Sequence, residues 1–83
     1  MLTLAHNYAI VHGVGTINPG ALAQAIEDQR MTRAQIARAT GKSLSYICDI
    51  VNGRRSLKRN PDLRTAIADA LGVPVSLIER EAA

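Results

Sequence analysis

An all-α domain of five short helices is what the sequence predicts, and three observations carry that prediction. The apolar residues are overwhelmingly Ala, Leu, Ile and Val, with no Phe or Trp. That composition suits helices that approach closely rather than a sandwich centred on aromatic side chains. Apolar positions recur at helical spacing over residues 19–80, and helix-starting and helix-stopping residues bracket each stretch. The chain's 83 residues make one domain. A domain of that size buries only about 60 to 65% of the surface its unfolded chain exposes, so its stability is marginal and a partner subunit would add to it.

The first helix is expected over residues 19–30: Asn18 caps, Pro19 fits the first turn, and Ile17 can staple against Leu22. Its buried stripe is Leu22, Ala25 and Ile26, with Gln24, Glu27 and Asp28 in solvent. Thr32-Arg33-Ala34-Gln35 has the form of a capping box, and Gly41 ends the helix it starts after barely two turns. A third helix follows at once, with Ser43 as cap, Ile47, Ile50 and Val51 inward, and Asn52-Gly53 as its end. After a polar stretch at residues 54–59, Asn60-Pro61-Asp62 caps a fourth helix with Leu63, Ala66, Ile67, Ala70 and Leu71 inside and Gly72 as its stop. Pro74 restarts a short fifth helix through Val75, Leu77 and Ile78. Residues 1–16 fit two patterns. Leu2, Leu4, His6, Tyr8 and Ile10 alternate as on a strand, while Leu4, Tyr8 and Val11 match a helix stopped by Gly13. The chain thus divides into an N-terminal segment at 1–17, a helical domain at 18–80 and a tail at 81–83.

Composition excludes several function classes. Cys48 is the single cysteine, so no intrachain disulfide can form and a cysteine-only zinc site lacks ligands. His6 and His12 do not have a zinc spacing and have no third ligand nearby, so no metal and no cofactor is expected. No Lys or Arg precedes Arg30 and no apolar run approaches a membrane span, so neither a signal peptide nor a membrane partner is expected, and the expected location is the bacterial cytoplasm. The net charge of +3 conceals an asymmetry: residues 30–64 hold nine of the ten basic residues and only two acidic ones, Asp49 and Asp62. A polyanion is the natural partner of that side. The N-terminal segment has no Lys or Arg to enter a minor groove, which favours packing or a subunit contact.

The second and third helices combine with the basic segment. Ala37 lets the third helix cross close above the second, Gly41 permits the sharp turn between them, and Ile36, Ile47 and Ile50 lock the angle by burial. One face of the third helix then projects outward, in the shape that fits a DNA major groove.

Residues 31–53, MTRAQIARATGKSLSYICDIVNG, closely resemble the Cro and phage-repressor helix-turn-helix family, a lambda-repressor-like five-helix fold. The likeness continues through Asn60-Pro61-Asp62-Leu63 and Ala70-Leu71-Gly72-Val73-Pro74 and covers about residues 18–80. The resemblance implies that Arg33, Ser43, Asn52 and the basic loop after Gly53 hold phosphates, and that Leu44, Ser45, Cys48 and Asp49 read bases. Arg33 stands where the family usually has glutamine and keeps a phosphate donor. Leu44 can offer only apolar contact, for which a thymine methyl is the match, and Asp49 can accept from a cytosine amino group or serve as a cap or the ion-pair partner of Arg38 or Arg54. The expected phosphate-facing set is Arg33, Lys42, Ser43, Asn52, Arg54, Arg55, Lys58 and Arg59. Cys48 is a helix-surface residue with no basic partner fixed by sequence, and Tyr46 is expected to be partly buried, with its hydroxyl in reach of a phosphate.

The resulting expectation is a sequence-specific regulator of transcription, a Cro-like phage or prophage repressor that binds a double-stranded DNA operator as a homodimer. The dimer contact is expected from the N-terminal segment, the fifth helix or both. The competing reading is an antitoxin-type or other protein-interaction module on the same fold. An enzyme is not expected, because no clustered carboxylate, histidine and nucleophile constellation is present in the chain.

Overall fold

The computed structural model describes residues 15–81. In chain order these form strand β1 (Gly15–Ile17), helices α1 (Pro19–Asp28), α2 (Arg33–Thr40), α3 (Leu44–Val51) and α4 (Pro61–Leu71), a 3-10 turn (Val75–Leu77) and strand β2 (Glu79–Glu81). The expectations for residues 1–14, strand or helix, lie outside the described residues, as do the last two positions.

Each α-helix starts on a side-chain cap that the sequence announces. Asn18 Oδ1 accepts from Ala21 N at 3.2 Å, Ser43 Oγ from Tyr46 N at 3.1 Å and Asn60 Oδ1 from Leu63 N at 3.2 Å. At α2 the capping box is complete: Gln35 N donates to Thr32 Oγ1 at 3.1 Å and Thr32 N donates to Gln35 Oε1 at 2.8 Å. All four helices end alike, with an amide reaching back five residues to a carbonyl: Met31 to Ile26, Lys42 to Ala37, Arg54 to Asp49 and Val73 to Ala68. That wrap requires a left-handed residue just before the donor. Gly41, Gly53 and Gly72 supply it at φ 74, 83 and 74°, but α1 uses Arg30 at φ 55°. The helix therefore ends at Asp28, two residues short of the expected Arg30.

The core joins all four helices: Leu22, Ala25 and Ile26 from α1, Ile36 and Ala37 from α2, Ile47, Ile50 and Val51 from α3, and Leu63, Ile67, Ala68 and Leu71 from α4. The inner face of α4 differs from the expected one. Arg64 and Ala68 are buried, whereas Ala66 and Ala70 are only half-buried. The stripe is centred about one residue away from the all-apolar choice, because a half-buried partner, Glu79, accommodates the Arg64 guanidinium.

The fifth helix is corrected to a single 3-10 turn. Pro74 enters it in extended conformation without a side-chain cap, and the chain then pairs as β2 antiparallel to β1, with Ile17 opposite Glu79 and Gly15 opposite Glu81. Ribbon pairing takes the backbone groups that another helical turn would need. The amides of Ile17 and Asn18 extend the clasp, donating to Ser56 O at 2.9 Å and Ile78 O at 2.8 Å. Ile17 and Ile78 from this ribbon complete the core, while Leu77 remains 53% exposed.

Candidate nucleic-acid interface

The turn between α2 and α3 is built from one glycine and two caps. Gly41 closes α2 in the left-handed region, with nothing within 4 Å of where a Cβ would stand, so backbone conformation rather than crowding makes glycine suitable here. Thr40 Oγ1 donates back to Ile36 O at 2.8 Å, and Ser43 opens α3 two residues after the glycine. The small Ala37 is buried with Ile36, Ile47 and Ile50, so the two short helices pack as one unit.

Burial of α3 along Ile47, Ile50 and Val51 determines what its opposite side presents. At about 100° per residue, positions 44, 45, 48 and 49 fall within an arc of about 140° facing away from that stripe. Leu44 and Ser45 are exposed, and Cys48 and Asp49 are half-buried. All four expected base-reading residues thus share one outward face.

The expected phosphate contacts divide into three groups. Arg33 is the first residue of α2 and lines a groove with Gly20, Gln24, Glu27, Met31, Thr32 and Val51. Lys42 and Ser43 stand exposed in the turn, and Asn52 is the exposed C-terminal cap of α3. Arg54, Arg55, Lys58 and Arg59 are exposed and border a second cleft with Tyr46 and Asn60. The four loop cations are brought together, and Arg33 sits on a different groove.

Asp49 links α3 to the loop. Its carboxylate accepts from Arg54 Nη1 at 3.4 Å and lies 3.7 Å from Arg55 Nε. Of the partners weighed from sequence, Arg54 is therefore the one found. Arg55 also stacks over the Tyr46 ring at 4.4 Å, with Lys42 5.5 Å from the same ring. Tyr46 thus orders two cations through its ring face, a role the sequence reading missed. Its place three residues before Asp49, in a chain with only two tyrosines, was the available signal.

Two further residues were missed. Leu57, inside the polar stretch, is buried and anchors the basic loop to the core. Arg64, counted on the basic side, is buried and donates to Glu79 Oε2 at 2.7 Å, so it does not face a polyanion.

The chain matches the Helix-turn-helix family over residues 22–78, more than half its length. It belongs to the Cro/C1-type helix-turn-helix family. Among solved structures, it is similar to the clp gene regulator ClgR from C. glutamicum, with 26% identity and a TM-score of 0.64 over 70% of this chain and 73% of that one. It is also similar to part of a hydroxyethylphosphonate dioxygenase, with 28% identity and a TM-score of 0.65. That likeness covers 81% of this chain and 14% of the dioxygenase. No curated protein matches the chain in sequence. Family membership and the regulator neighbour together support a DNA-binding transcriptional regulator. Among the described residues, no helix is long and apolar enough to cross a membrane.

Proposed function

We propose that this protein is a sequence-specific, double-stranded DNA-binding repressor of the phage or prophage Cro kind, acting in the bacterial cytoplasm as a homodimer and without catalytic activity of its own. The observation that carries this reading is the outward face of α3, with Leu44, Ser45, Cys48 and Asp49, beside the loop cations Arg54, Arg55, Lys58 and Arg59. Phosphate contacts from the loop, Lys42, Ser43, Asn52 and Arg33 fix register on the duplex, and the α3 side chains choose sequence in the major groove. A Leu44 side chain against a thymine methyl and an Asp49 carboxylate toward a cytosine amino group are the two base contacts with the clearest chemistry.

Dimerisation is proposed on physical grounds. One such module covers a short half-site, and two joined symmetrically read a palindrome with centres about 34 Å apart. The exposed Leu77, beside Ala21 on a hollow also lined by Gln24 and Asp28, is an apolar side chain available for that contact.

Salt titration of binding to a random duplex tests the phosphate surface. The affinity should fall steeply with salt, and Arg54→Ala should reduce the log–log slope by about 0.9, one contact's worth. A flat titration of the wild-type protein would contradict the reading.

A further inference from the structure

Arg64 is only 1% exposed and belongs to α4, yet its guanidinium donates to groups outside that helix. Its Nη1 donates to the carbonyl of Leu57 and, at 3.3 Å, to the carbonyl of Lys58. Its Nε donates to Glu79 Oε2 at 2.7 Å. Burying a charge pair is a poor route to stability, since apolar side chains of similar volume often serve the fold as well or better. The partners of Arg64 suggest a different role.

Leu57 has φ 55°, a left-handed conformation unusual for a residue with a side chain, and its side chain is buried. The preceding carbonyl, that of Ser56, accepts from Ile17 N at 2.9 Å. Three successive carbonyls, at 56, 57 and 58, are thus each held by a donor from outside the loop. The side chains of Arg54, Arg55, Lys58 and Arg59 around them are exposed.

We propose that Arg64 is a positioning residue for DNA binding. It fixes the backbone at residues 57 and 58 so that the loop cations meet phosphates already in place, while Glu79 accepts from its Nε and takes no part in holding the two carbonyls. A loop ordered in advance loses less freedom on binding than one that orders on the duplex. The proposal rests on the DNA-binding reading above, with Arg64 acting through the loop and not touching the nucleic acid.

The test compares wild type, Glu79→Gln, and the double variant Arg64→Leu with Glu79→Gln. It measures the salt slope on a random duplex, the unfolding midpoint in urea, and amide hydrogen exchange across residues 54–60. In the double variant, exchange in the loop should speed up, affinity should fall about tenfold, and the slope should lose between about one and two phosphate contacts' worth. Glu79→Gln alone retains the donors to both carbonyls and should keep the wild-type slope. A folded double variant with wild-type slope and loop exchange would overturn the proposal. An equal loss of slope in Glu79→Gln would overturn it too, by showing that general loosening is enough. If the double variant does not fold, Arg64→Lys replaces it: an ammonium lacks the planar fork that spans both carbonyls and the carboxylate, so the same loss of slope is expected. A wild-type slope in Arg64→Lys would then count against the role. If the wild-type protein itself binds the duplex without salt dependence, the DNA-binding reading fails first.

Discussion

Leu44 keeps 49% of its surface in solvent at the first position of α3, where an apolar side chain contributes little to the core. Leu44→Ala should accordingly leave the urea midpoint almost unchanged while weakening discrimination at one base pair by about 1 kcal/mol, read by competition between operator and single-base variants. Asp49 acts from two directions. Its ion pairs offset part of the charge that Arg54 and Arg55 present to phosphate, and its position lies on the outward arc of α3 with Leu44, Ser45 and Cys48. Asp49→Asn should raise affinity for random DNA and lower preference at its own base pair, so the specificity ratio falls at both ends. Unchanged random-duplex affinity in this variant would mean that the arginines engage phosphate without giving up Asp49. This pairing was only half legible in the sequence: Arg54 lies five residues on from Asp49, but Arg55 approaches it through the left-handed turn at Gly53 while stacked on the Tyr46 ring.

At the scale of elements, starts were easier to read than ends. Asn18, Thr32, Ser43 and Asn60 each cap the helix the sequence assigned to them, because a capping oxygen needs only its own helix's first turn. The end of α1 was misplaced because Arg30 does the work of a glycine, and no local pattern distinguishes such an arginine. Holding a non-glycine residue in the left-handed region is unfavourable, so Arg30→Gly should stabilise the protein by about 0.5 to 1 kcal/mol, measured by urea unfolding. A loss of stability would show that the Arg30 side chain contributes more than its backbone costs. The fifth helix failed for a different reason. A short apolar run after Pro74 fits a helix or a strand equally well, and the partner that decides, β1, lies more than sixty residues earlier in the chain. Burial of Arg64 was hidden in the same way, since Glu79 is fifteen residues away and meets it only in the folded structure.

Across the whole molecule the charge asymmetry is real but smaller on the working face than the sequence count implied. Arg64 is withdrawn into the core, and Asp49 lies among the loop cations. What remains is a basic loop and turn beside α3, set against Glu27, Asp28 and Asp69 exposed on other elements. Such a molecule should approach DNA in a preferred orientation, with an association rate that drops as salt screens the field. The choice of dimer surface was not readable from sequence, because apolar residues in a small chain serve core and interface alike. Leu77 supplies one candidate, and Leu77→Arg should lower the mass measured by light scattering on an operator duplex if that surface joins two copies. The most direct test of the account is selection of binding sites from a random duplex library, carried out in parallel with the wild type and Leu44→Ala. The account predicts enrichment of a two-fold symmetric sequence with half-sites one helical turn apart, and a loss of preference confined to one position per half-site in the variant. Recovery of no enriched sequence, or of the same sequence with undiminished preference from Leu44→Ala and Asp49→Asn alike, would contradict base reading by the outward face of α3.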